Sequence, residues 1–158
     1  MKKLITIITV ILIALNLSAQ VNYNPYSVHR TAFNKNLTVY GLMLGSILLD
    51  ASGDAMMDSG NKELGHLLNA GSIACLLTIP IVKKIELKKA PWYLAGYVGL
   101  RFTMFDPVYG AVHPDVNYLH QGTRSYYDQF MNQWSAESLL FLRGLTFVAS
   151  FDITMKRI

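Results

Sequence analysis

Cysteine is almost absent: Cys75 is the only one in 158 residues. That excludes an internal disulfide framework and any zinc site built on several thiolates. Charge is scarce too, at 15 % of residues, against roughly 25 % in an average soluble domain. Hydrophobic residues make up 52 % and the mean hydropathy is +0.29, which excludes a disordered chain. No internal repeat and no low-complexity tract occurs. A length near 150 residues corresponds to one domain, with or without an export segment.

The net charge is +4, and its placement carries more information than its sum. Lys2 and Lys3 open the chain, Lys83, Lys84, Lys88 and Lys89 form one block, and Lys156 and Arg157 lie near the other terminus. A nucleic-acid surface needs basic residues spread along one face and interleaved with aromatics. A lysine block between two apolar stretches instead has the pattern of a loop at a membrane surface. The expected partner is membrane lipid, with a helix–helix partner or a second copy of the chain as a further possibility, and not nucleic acid.

Residues 1–19 combine a basic start, an uncharged apolar run over 4–17 and a Leu-Ser-Ala end. This is the pattern of a secretory signal peptide, too short to span comfortably, with cleavage expected near Ala19. An uncleaved signal anchor is the alternative, because Leu17 stands where a small residue is preferred. Residues 20–36 are polar and read as an arm or linker. A helical membrane domain is expected over 37–158.

Within it, four apolar segments stand out. The first covers about 37–57 and ends at the turn-forming Asp58-Ser59-Gly60-Asn61. The second covers about 63–82, with no full charge from Leu64 to Val82, close to the ~20 residues a span needs. The third starts at Pro91, a favoured first helical position, and is expected to end at Asp106-Pro107. A long polar and aromatic connection is expected over 107–136. The fourth covers about 135–154, its Ser135-Ala136-Glu137 start suited to a helix N-terminus. The apolar stretches are too long, and alternate too little, for strands.

The predicted fold class is therefore all-α: a small bundle of about four apolar helices, three or four of them transmembrane, after a signal peptide. The predicted location is the bacterial inner membrane, with a soluble periplasmic helical protein as the alternative. Four spans after a cleaved signal would place most basic residues outside, against the positive-inside rule. Four spans with residues 20–36 inside fit the charges best but contradict a working signal peptide. The preferred reading has the first segment lying at the interface or re-entering, with residues 83–89, Lys156 and Arg157 inside and Arg30, Lys35, Lys62 and Arg124 outside.

Seven side chains in these apolar surroundings need a reason. Asp50, Asp54 and Asp58 recur every four residues and so share one helix face. His66 follows the first break. Arg101 and Asp106 lie toward the end of the third segment, and Arg143 in the second turn of the fourth. In an up-down arrangement all seven gather at one end. Charges inside a bilayer face a bundle interior or a wet cavity, and ion pairing that closes the packing is the favoured reading. The functional alternative is a small membrane enzyme or an ion- or anion-binding protein that uses this cluster as a polar pocket: the carboxylates with His66 around a cation, or the arginines around a phosphate or carboxylate. No cofactor is indicated, and no metal set is complete enough to assign.

Motif tests are mostly negative. The calcium-loop start at Asp50-Ala-Ser-Gly-Asp54 fails, because Ala55 replaces the sixth-position glycine and Asn61 the twelfth-position glutamate. H-E-x-x-H, G-x-S-x-G, G-x-G-x-x-G and Walker A patterns are absent from the sequence. Gly41-x-x-x-Gly45 is a small-residue spacing that permits close helix approach. The Met and aromatic positions, such as Met43, Met56, Phe102 and Phe105, read as packing.

The stretch from Arg101 through Asp106-Pro107-Val108-Tyr109, followed by Gly122-Thr123 and Tyr127-Asp128, resembles small bacterial multi-pass membrane proteins. These share an Arg-x4-Asp-Pro-x-Tyr element at one helix end and a Gly-Thr and Tyr-Asp stretch in the next loop. The Asp50, Asp54, Asp58 and Gly65-His66 region is similar too. The resemblance covers about half of the chain beyond residue 19. It implies a membrane location and no activity.

Overall fold

The computed structural model describes residues 28–113 and 126–158. The expected signal peptide over 1–19 and the first part of the polar arm lie outside the described residues, as does much of the 107–136 connection. Among the described residues all regular structure is helical: α1 (Val28–Asp58), α2 (Lys62–Val82), a 3-10 turn (Leu87–Lys89), α3 (Ala90–Val112), a short α4 (Tyr126–Met131) and α5 (Ala136–Arg157).

Local chemistry explains the boundaries. Helix α1 stops in a Schellman arrangement. The Asn61 N–H donates to Met56 O at 2.9 Å and the Gly60 N–H to Met57 O at 3.0 Å, while Gly60 takes a φ of 92°. Glycine adopts that left-handed backbone without a Cβ clash. Asn61 then caps α2, its side-chain oxygen accepting from the Leu64 N–H at 3.3 Å. Ser135 caps α5 in the same way, accepting from the Ser138 N–H at 3.2 Å. Glu137 in the first turn of α5, and Lys156 with Arg157 in its last, complement the helix dipole.

Two expected boundaries are corrected. Residues 28–36, expected in the polar arm, form the first turns of α1. The third segment does not end at Asp106-Pro107 but runs on to Val112 with Pro107 inside it. Proline removes the amide that would have bonded to the Thr103 carbonyl, and packing against neighbouring helices offsets that loss. Arg101 consequently sits at the middle of α3, about 17 Å from either end, and not in its last turns.

Helix α1 is the centre of the molecule. It packs against α2 on one side and against α3 on the other, and more lightly against α5; α3 and α5 pack on each other. The tightest crossing lies where Gly53 meets Gly65. A Cβ added at Gly65 would come within 2.8 Å of Gly53 O, and one added at Gly53 within 2.9 Å of Gly65 O. The expected close approach at Gly41 is not found: a Cβ there meets nothing within 4 Å, and Gly45 faces the Cys75 sulfur at 3.7 Å. The α3–α5 seam uses the same device, Gly96 and Gly99 facing Thr146, Ser150 and Thr154.

Polar side chains share the interior with an apolar core built on Val39, Ile47 and Leu100, while large apolar side chains also face outward. Ser46, Ser52, Ser72, Thr103, Arg143, Ser150 and Thr154 are buried, and the Ser46 and Ser72 hydroxyls bond at 2.9 Å between α1 and α2. Large apolar side chains point outward, among them Leu77 and Ile81 on α2, Leu94 and Val98 on α3, and Phe141 and Val148 on α5. Ile81 is 83 % exposed and Phe141 70 %. By length and apolarity α2 and α5 are candidate membrane spans, and only 22 % of the most apolar window of each is buried.

The two ends differ. Asn36, near the start of α1, accepts from the Lys83 ammonium and donates to Met155 O at 2.9 Å. Lys89 reaches Ile158 O at 3.1 Å. The start of α1, the 83–89 segment and the end of α5 therefore share one end. Helix α1 packs alongside α2. Lys35 falls with the lysine block and not opposite it.

Candidate functional site

The three aspartates of α1 do share a face, but they turn to different helices. The Arg101 guanidinium on α3 donates to Asp50. Asn69 on α2 donates from its amide nitrogen to Asp54 Oδ1 at 3.1 Å. The Tyr109 hydroxyl on α3 donates to Asp58 at 2.6 Å. The Asp50 and Asp58 pairs both span 51 residues, because α1 and α3 run parallel and advance together. Asp50 and Asp58 are about 12 Å apart along the axis, too far to share one ion. Among the described residues no group of three His, Cys, Asp or Glu side chains is placed to hold a metal.

The Asp50–Arg101 pair is half-buried, with side-chain exposures of 25 % and 39 %. The guanidinium carbon lies 4.1 Å from the centroid of the Phe105 ring, a cation–π contact. Asp106 accepts from Arg143 of α5. This second pair is deeper: Arg143 is only 3 % exposed, and its Nε and Nη1 have no hydrogen-bond partner. The Phe102 ring centroid is 6.0 Å away. The Thr103 hydroxyl bonds to Gly99 O at 2.8 Å and reaches the main-chain oxygen of Arg143 at 3.3 Å, fixing α5 to α3 at this level.

The predicted cluster is thus resolved into separate contacts. Asp50, Arg101, Asp106 and Arg143 form two ion pairs, α1 to α3 and α3 to α5. Asp54 and Asp58 are each tied by a neutral donor. His66 is exposed near the start of α2 and has no part in either ion pair. Sequence reasoning missed Asn69 and Tyr109 as partners. Asn69 had a signal, being the only amide in the apolar run of α2. The role of Tyr109 follows only once the parallel register of α1 and α3 is known.

At the opposite end, Lys83 donates to Asn36, an amide, and Glu86 forms ion pairs with Lys88 at 3.0 Å and Lys89 at 3.7 Å. The Lys88 ammonium, through its hydrogen bond and its charge, holds the Glu86 carboxyl below its usual range, with Lys89 adding to it. Burial, and then the charges of Lys89 and Lys35, push the Lys83 ammonium below its usual value. Among the described residues, basic groups therefore outnumber carboxylates at this end. Comparison of the chain with family models, curated proteins and solved structures found no match.

Proposed function

We propose that the protein is an integral protein of the bacterial inner membrane, its four long helices spanning as one bundle. Its buried charges hold those helices together and carry no catalysis. The observation that supports this reading is the band of large apolar side chains turned outward on α2, α3 and α5, over an interior that mixes apolar residues with hydroxyls and Arg143. In water such a surface would drive aggregation; in a bilayer it is matched by acyl chains. At 1.5 Å per residue α2, α3 and α5 measure about 32–35 Å, against about 30 Å of hydrocarbon. The resemblance around Arg101 to Tyr109 agrees with a membrane location. The role is that of a structural or interaction protein within the bilayer.

The basic end supports an orientation with the start of α1, the 83–89 loop and the end of α5 in the cytoplasm. A cleaved signal peptide would require the opposite. The test is membrane extraction combined with labelling. The chain should stay in the pellet under alkaline carbonate and dissolve in detergent. A cysteine at Lys88 in a Cys75→Ser background should resist a membrane-impermeant thiol reagent in whole cells. Release by carbonate would overturn the membrane reading; rapid labelling from outside would reverse the orientation and favour the cleaved signal.

One observation favours a second reading. Arg143 keeps two buried donors without partners, the chemistry of an anion-binding arginine. Under that reading, inorganic phosphate raises the melting temperature of detergent-solubilised protein, and Arg143→Met abolishes the shift.

A further inference from the structure

We propose that the basic end is a binding site for the headgroup of an anionic phospholipid, seated between the start of α1, the 83–89 loop and the end of α5. The proposal rests on the membrane reading above and names the lipid class and the place it binds.

The charge balance of this end is one-sided. Four lysines come from the loop, Lys35 from α1, and Lys156 with Arg157 from α5; the acidic residues beside them are Glu86 and Asp152. Both acids are already engaged, Glu86 with Lys88 and Lys89, and Asp152 with Lys156 at 2.5 Å. Among the described residues no carboxylate pairs with Lys35, Lys83, Lys84 or Arg157. The geometry shows the same excess: beside its burial, Lys83 is repelled by Lys89 of its own loop and by Lys35 of α1, which hold its ammonium below the usual value. A phosphodiester brought to this point would relieve that repulsion. Each basic group near an anionic surface favours it by about fivefold in affinity.

The apolar surroundings fit a lipid rather than a soluble phosphate. Ile81 and Leu87 are among the most exposed apolar residues, at 83 % and 89 %, and they flank the lysines directly. Trp92 in the first turn of α3 is 42 % exposed, with the Arg157 guanidinium carbon 5.5 Å above its ring. An indole at this level belongs at the headgroup boundary, where its ring meets acyl chain and its edge meets water. Among the described residues the other end carries more acids: Asp54, Asp58, Glu63 and Glu137 lie at that end with Lys62.

The full chain carrying Trp134→Phe keeps Trp92 as its one tryptophan. It is reconstituted in vesicles holding equal fractions of phosphatidylglycerol and phosphatidylcholine, with one or the other brominated. Brominated phosphatidylglycerol should quench Trp92 more strongly. Lys84→Gln or Arg157→Gln should each reduce that preference by up to about fivefold, Lys84→Arg should keep it, and Lys62→Gln at the far end should leave it unchanged. Excess inorganic phosphate should not compete; competition would assign the site to free phosphate and overturn the lipid proposal. Equal quenching by both lipids would overturn the headgroup site while leaving the membrane reading intact. No quenching by either lipid would overturn both.

Discussion

Replacing Asp106 by leucine strands a guanidinium in the interior. Arg143 is 3 % exposed, and among the described residues Asp106 is its only ion-pair partner. Its Nε and Nη1 are unsatisfied already, so Asp106→Leu leaves a whole buried charge without an acceptor from that carboxylate. Removing one member of a buried pair costs about 3–5 kcal/mol, and the depth of Arg143 argues for the upper part of that range. Arg143→Met is milder, at about 1–3 kcal/mol, because Asp106 is 20 % exposed and has further interactions of its own. The double variant Asp106→Leu/Arg143→Met removes both the charge and the unsatisfied donors. It should lie within about 1 kcal/mol of the wild type or exceed it, as apolar replacements of buried ion pairs do. Equilibrium unfolding in mixed detergent micelles, followed by far-UV circular dichroism, measures all four proteins. A double variant that loses the sum of the single losses would refute the reasoning, and so would an Asp106→Leu protein as stable as the wild type.

The Asp50–Arg101 pair is less buried, so Arg101→Leu should cost about 1–3 kcal/mol, less than Asp106→Leu, and adding Asp50→Leu should recover part of it; additive losses in the same unfolding assay would remove the pair from the account. Gly65→Ala drives a Cβ to 2.8 Å from Gly53 O and should destabilise by about 1–3 kcal/mol, while Gly41→Ala meets nothing within 4 Å and should be neutral or slightly stabilising. Equal responses at the two glycines would place the α1–α2 crossing elsewhere.

Much of this arrangement is legible in the sequence. The turn at Asp58-Ser59-Gly60-Asn61, the Ser135 cap and the position of Pro91 mark helix ends through chemistry that acts within a few residues. The need of Arg101 and Arg143 for carboxylates among Asp50, Asp54 and Asp106 followed from the cost of an unpaired charge in an apolar segment, though not which carboxylate each takes. What stayed hidden depends on distance between helices. Gly41, Gly45, Gly53 and Gly65 look equivalent in sequence, and only the crossing decides which pair lets two backbones touch. Pro107 is a stop signal locally, yet contacts of α3 with α1 and α5 carry the helix past it. The common face of Asp50, Asp54 and Asp58 was correct, but a shared face did not mean a shared partner, because α2 and α3 flank α1 on different sides.

Spin labels report most directly on whether the outward apolar faces meet lipid. Labels at Leu77, Val98 and Val148, in a Cys75→Ser background in vesicles, should collide readily with oxygen and hardly at all with a water-soluble nickel chelate. Labels at Ser46 and Ser150 should be shielded from both. Strong collision with the nickel chelate at all three outward positions would mean that these faces meet water or a wet cleft, and the membrane account would fail.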